Sequence, residues 1–304
     1  MTSHIKHCII EENHYIEVNR LPDFWSHHYA AIKANENRRI VKPTHLIWSE
    51  DFDNLYAFGA QGPDFFYYIN KFNPLSKHRY GEVGNQVHEL GARDLFREML
   101  SFMINRPSEA LMAYVSGFIA HYMIDVNCHP LICLLGPDSV SHKRVELDLE
   151  AFCIHDYWGL DRRTLDLKPI KCSENQLMQG FVILWQHILP HIYGVSIDKK
   201  ELMQGHYSML SLQKMMVQDT IGKLPFLGEL SKLFRYDLST LRYPDVDDLA
   251  LKKLRDYETF QHLYVKGIEE TTKSLIALDE VLKGTVTLEH YIETFINFDF
   301  LGEA

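Results

Sequence analysis

The chain has little that would tie it to secretion, to a membrane or to a nucleic acid. Its five cysteines (Cys8, Cys128, Cys133, Cys153, Cys172) are odd in number and form no CxxC pattern. That excludes a dense disulfide framework and fits a reduced, cytoplasmic protein. The first dozen residues contain neither a long apolar run nor a small-residue cleavage pattern, so no secretory signal is expected. The most apolar stretches, 111–126 and 181–195, are interrupted by His121 and Asp125 and by Gln186, His187, Pro190 and His191. Neither is expected to serve as a transmembrane segment. An excess of positive charge is also missing. The formal net charge is -10, which argues against broad electrostatic binding to nucleic acid or to an anionic membrane.

What remains is an ordinary soluble composition, 46% hydrophobic and 24% charged over 304 residues, ample for a large core. Strand-like alternation is scarce and helical periodicity dominates. Helices are expected near 23–37, 44–58, 84–103, 108–128, 141–157, 173–192, 199–218, 246–282 and 287–295. The fold class is therefore all-α, a multi-helix bundle. Segment 1–42 reads as an N-terminal extension, 43–165 as a metal-binding core and 166–304 as helices packing on that core. No linker is sharp enough to insist on separate domains. The turn-rich, then aromatic run from Gly59 to Tyr68 reads as a functional loop.

Two histidine-bearing stretches carry the chemistry: His121-x-x-x-Asp125-x-x-x-His129 and His142-x-x-x-Glu146. Residues four apart lie on one face of a helix, so His121/Asp125 and His142/Glu146 are preset pairs of metal ligands. Imidazole nitrogen with carboxylate oxygen suits zinc. An unpaired carboxylate in the apolar helix around Asp125 would be costly to bury. His129 precedes Pro130, where the helix is expected to end and the chain to bend toward the same point. Two clusters within about two dozen residues suggest one multinuclear centre.

The ordered set Pro43-Thr-His45, Gly62-Pro-Asp64-Phe-Phe-Tyr-Tyr, Val87-His88-Glu89, Gly117-Phe-Ile-Ala-His121-Tyr-Met-Ile-Asp125, His129-Pro130 and Ser141-His142-x-x-x-Glu146 resembles the bacterial zinc-dependent phospholipase C family, more closely its intracellular Firmicutes-type members. The resemblance covers about 45–154. It implies an all-helical core with two zinc ions and room for a third. On that basis Asp64, His88, His121 and Asp125 would hold one zinc, and His129, His142 and Glu146 a second, with Asp64 near or bridging the pair. His45 with Asp125 would contribute to the third. In secreted members the free amino group of the mature N-terminal tryptophan completes that third site. Here 44 residues precede His45, which leaves the site empty, weak, or closed by another group of the extension; none of His4, His7, His14, His27 and His28 is singled out.

Such a ligand set activates water and binds phosphodiester oxygens. Asp64 is the candidate general base. Phe65 and Phe66 are candidates to stack on a quaternary ammonium head group, although core packing is the commoner fate of such rings. The expected activity is hydrolysis of a phospholipid or small phosphodiester, with no stable nucleic-acid partner. Two alternatives stand beside it. A nuclease resembling the P1/S1 group shares the ligand logic, but closes its second zinc with His and Asp rather than His142 and Glu146. A non-catalytic zinc-stabilised scaffold is the other.

Overall fold

The computed structural model describes residues 24–42, 48–70, 80–218, 231 and 254–302, and among them no strand occurs. The helices are α1 (Phe24–Val41), α2 (Asp53–Gly59), α3 (Gly81–Glu89), α4 (Ala92–Asn105), α5 (Glu109–Leu135), α6 (Ser139–Phe152), α7 (174–193), α8 (Lys199–Val217), α9 (Leu254–Leu282) and α10 (Leu288–Phe295). A 3-10 turn, Gly62–Tyr68, follows α2, and a π-helical turn, Cys153–Tyr157, extends α6.

The helix α5 is the axis of the molecule. Ser108 starts it by accepting a hydrogen bond from the Leu111 amide at 3.2 Å, an N-cap that satisfies a donor with no intrahelical partner. Its sequence is apolar all round rather than on one stripe, the pattern of a helix enclosed by neighbours. Helices α1, α2, α4, α6, α7 and α9 pack around it. By length and composition alone α5 is long and apolar enough to cross a membrane, contrary to the expectation above, but most of its apolar window is buried inside the protein. It is a core helix.

Pro130 does not end α5, which continues to Leu135. Proline removes one amide donor and the carbonyl of Val126 loses its helical partner. Later packing fills that gap. The expected helix at 84–103 is instead two helices, α3 and α4, parted at Leu90-Gly91, with Gly91 at φ +59°. Before α2, residues 50–52 form a 3-10 turn; the earlier part of that expected helix lies outside the described residues, as does the start of the one expected at 246.

Buried polar links set how the helices stand. Tyr56 of α2 donates to the Ala31 carbonyl of α1 at 2.7 Å, and Tyr264 of α9 donates to the Ser26 carbonyl at 2.6 Å. The Trp185 indole donates to Tyr114 Oη at 2.8 Å, joining α7 to α5. Helices α2 and α5 approach so closely that a β-carbon on Gly117 would lie 2.1 Å from the Tyr56 carbonyl oxygen. That crossing fixes where the turn after α2 meets α5. Gly117→Ala should therefore destabilise the protein by about 1–3 kcal/mol, the usual cost of overpacking a core; an unchanged urea-unfolding midpoint would contradict the crossing.

Candidate metal centre

Four helices and one turn deliver eight ionisable side chains to a common cavity lined also by Tyr67 and Leu301. His121, Asp125 and His129 stand at successive four-residue steps on α5, so one face of a single straight run presents all three. His129 keeps its place on that face although Pro130 follows it directly. His142 and Glu146 come from α6, His88 from the last turn of α3, and Asp64 from the 3-10 turn. His27 comes from α1. All eight are buried, none more than 8% exposed.

Their atoms fall into three groups, each with ligand atoms within 4.8 Å of one another: His27, His121 and Asp125; Asp64, His88 and His121; His129, His142 and Glu146. His27 Nε2 lies 3.2 Å from Asp125 Oδ1, and His121 Nε2 lies 2.9 Å from Asp125 Oδ2. His88 Nε2 lies 3.3 Å from Asp64 Oδ1. His142 Nε2 and His129 Nε2 stand 3.0 and 3.6 Å from Glu146 Oε1.

The protons of three of these rings are accounted for from the backbone. Carbonyl oxygens only accept, so His88 Nδ1–H donates to Gly84 at 2.7 Å, His121 Nδ1–H to Ala60 at 3.2 Å, and His129 Nδ1–H to Phe300 at 3.0 Å. In the neutral imidazole each Nε2 then offers a lone pair, and these lone pairs face carboxylate oxygens, which are also acceptors. Asp64 Oδ2, His121 Nε2, Asp125 Oδ2 and Glu146 Oε2 are buried without a hydrogen bond of good geometry. Acceptor facing acceptor in a buried cavity needs a cation between them. Backbone carbonyls that fix the tautomer of a ligating histidine are the usual outer ring of a metal site. The donor set, imidazole and carboxylate, is one that zinc accepts. The residues fit the ion.

Without a bound ion, the electrostatics rest on protons. Burial alone would raise the Asp125 and Glu146 pKa values, but His121, His129 and His27 hold Asp125 well below the usual carboxylate range, and His142, Lys143 and His129 do the same for Glu146. Burial would lower His129, yet Asp125 and Glu146 outweigh it and carry the ring up to about 9. Lys143 Nζ, itself buried, stands 3.6 Å from Glu146 Oε2.

The structure places the expected residues as follows. Asp64, His88, His121, Asp125, His129, His142 and Glu146 converge. His45 lies outside the described residues. His27, one of the five N-terminal histidines among which the sequence singled out none, stands where the third group needs an imidazole. A signal for it exists: His27, Ala31, Ala34 and Arg38 share one buried face of α1, and a polar group there asks for a partner. Phe65 and Phe66 are a correction. Both are fully buried, packed against Trp185, with Phe65 also against Phe58 and Phe181, so neither ring opens onto the cavity. Tyr67 is the aromatic residue that does line it, its hydroxyl donating to Asn85 Oδ1 at 2.9 Å. The preceding Gly62, at φ +52°, sits under the His121 ring, where a β-carbon would come within 2.1 Å.

Of the remaining histidines, His28 and His206 are core residues whose pKa values burial pushes down to about 4 and about 3. His187 pairs with Glu98 at 2.6 Å and His155 with its neighbour Asp156. A roomier cavity of about 450 Å3 opens between residues 163–171 and α8, but its lining brings no histidine or cysteine together with a carboxylate.

A family model described as zinc dependent phospholipase C matches residues 25–193, more than half of the chain. No curated protein and no solved structure matches.

Two outcomes follow for the ion. Asp125 is the one carboxylate of the group it forms with His27 and His121, so Asp125→Asn should lower zinc content by at least one ion per chain in elemental analysis; unchanged content would remove it from the ligand set. In the zinc-free protein, His129 is raised from 6.5 to about 9, so its stabilising contribution is complete below pH 6.5 and is lost as pH rises through 9. Thermal stability of chelator-treated protein should fall across that window, while zinc binding tightens as proton competition fades. A zinc affinity flat from pH 6.5 to 9 would contradict this.

Proposed function

The chain belongs to the zinc-dependent phospholipase C family, and on that premise we propose that it hydrolyses a phosphodiester bond in a phospholipid or a small soluble phosphodiester. The observation that carries the reading is the convergence of Nε2 lone pairs with carboxylate oxygens in one buried cavity, each of three rings anchored by a backbone carbonyl. The same proposal sets the protein in the cytoplasm, the reading its cysteine usage supports.

Zinc held by His27, Asp64, His88, His121, Asp125, His129, His142 and Glu146 would supply positive charge that polarises phosphoryl oxygens and brings water toward ionisation near neutral pH. The chain's own residues do the rest. Asp64 sits on the buried 3-10 turn that follows α2, with Oδ2 free of any hydrogen bond. It is placed to take the proton of an attacking water. The water oxygen forms the new bond to phosphorus, the bond from phosphorus to the alcohol oxygen breaks, and that oxygen leaves with the proton that Asp64 took from the water. Lys143 orients Glu146 from behind the cavity. The ring of Tyr67, stacked on His88 with centroids 5.9 Å apart, offers an aromatic wall to the part of the substrate beyond phosphorus. With all eight polar groups buried, ordinary water is largely excluded and charge acts through a low dielectric.

Zinc-loaded protein should release phosphorylated head group from short-chain phosphatidylcholine or cleave a nitrophenyl phosphodiester. A chelator should abolish turnover and added zinc restore it. Asp64→Asn should lower kcat by roughly 10²–10⁴-fold, the usual weight of a positioned base. Zinc-replete protein inactive on lipid and soluble diesters alike would overturn the reading and favour a zinc-stabilised scaffold.

A further inference from the structure

The family match ends at residue 193, yet one side of the metal centre is built from residues 298–302. This segment returns from α10 and is laced onto α5 and α3. Tyr122 Oη donates to the Phe298 carbonyl at 2.8 Å and accepts from the Phe298 amide at 3.2 Å. The Phe300 amide donates to the His88 carbonyl at 3.2 Å, and the Phe300 carbonyl accepts from His129 Nδ1–H at 3.0 Å. A single residue's two peptide groups therefore tie His88, of the Asp64 group, to His129, of the Glu146 group. The Phe300 ring also packs edge-on against His88, with centroids 5.4 Å apart.

The seat of this segment is the place where α5 passes through proline. Val126 lacks the amide donor that Pro130 cannot supply. Gly302, at φ +78°, settles over it so closely that a β-carbon would lie 3.0 Å from the Val126 carbonyl oxygen and 2.7 Å from Pro130 Cγ. That contact delivers Leu301 to the cavity wall. Leu301 is buried and lines the cavity together with eight ionisable groups. A leucine in such company contributes no ligand atom and occupies volume.

We propose that residues 298–302 are a positioning and specificity element of the metal centre: the Phe300 peptide holds His88 and His129 in register, and the Leu301 side chain limits the size of the group that enters. The size limit rests on the phosphodiesterase reading; the positioning role does not. Outer hydrogen bonds to ligating histidines typically govern metal affinity by about 10–100-fold. The carbonyl of Phe300 does so for His129 by keeping its proton on Nδ1, which leaves Nε2 to the ion.

The experiment compares the full chain with a variant lacking residues 299–304, with Gly302→Ala and with Leu301→Ala. Zinc affinity is measured by competition with a chelating dye, and the coordination environment by the visible spectrum of the cobalt-loaded protein. The deletion should weaken zinc binding at least tenfold and alter the cobalt spectrum while the far-ultraviolet helical signal is kept. Gly302→Ala, which lifts the segment in an otherwise complete chain, should do the same in smaller measure and decides the matter if the deletion fails to fold. Unchanged zinc affinity and cobalt spectrum in Gly302→Ala would overturn the positioning role. Leu301→Ala keeps the backbone bond, so it should retain zinc and lower KM for micellar phospholipid at least fivefold relative to a small nitrophenyl diester. An unchanged ratio would overturn the size limit. If the full chain cleaves neither substrate, the phosphodiesterase reading fails and the size limit with it, while the zinc and cobalt measurements still test positioning.

Discussion

Buried acceptor atoms facing acceptor atoms are the constraint on which this structure depends. Three imidazoles give their only proton to backbone carbonyls at Ala60, Gly84 and Phe300, and the nitrogens left over look at carboxylates. Such a cluster is stable in only two ways. Either protons collect on it, as the upward shift of His129 shows, or cations fill it. The first state costs the buried rings their neutral form. The second satisfies the facing lone pairs together and leaves the rings neutral.

The rest of the fold can be understood as what holds these carbonyls and rings in place. One helix, α5, carries three of the side chains that line the cavity and is buried by six others. The close crossing of α2 on α5 at Gly117 sets the position of the turn that bears Asp64 and the carbonyl of Ala60. The buried Glu150 of α6 accepts the Trp25 and Ser26 amides at the start of α1, which fixes the residue that follows, His27, against Asp125. Rigidity at these junctions matters because coordination tolerates only small errors in ligand position.

Proline in α5 shows how a local rule can be outweighed. On its own Pro130 disfavours the helix, and a bend after His129 is the natural expectation. Burial of the helix on nearly every side outweighs one lost hydrogen bond, and Gly302 packs over the carbonyl left exposed. The aromatic run after Asp64 shows the complementary case. In a 3-10 turn the side chains of Phe65 and Phe66 swing toward Phe181 and Trp185, whereas Tyr67 turns toward the cavity. Composition could nominate the run, but not the ring.

By its spacing alone the sequence determined the helical class, the pairs His121/Asp125 and His142/Glu146, and the kind of ion they suit, because residues four apart on a helix share a face whatever surrounds them. The ordered motifs from Asp64 to Glu146 extended that to seven residues that the fold brings to one cavity. What only the tertiary structure decided are the contacts between distant segments: His27 against Asp125, Phe300 behind His129, Leu301 at the wall and Phe65 and Phe66 in the core. Those depend on where whole helices come to rest, and contacts between segments so far apart in the chain leave no periodic trace in it.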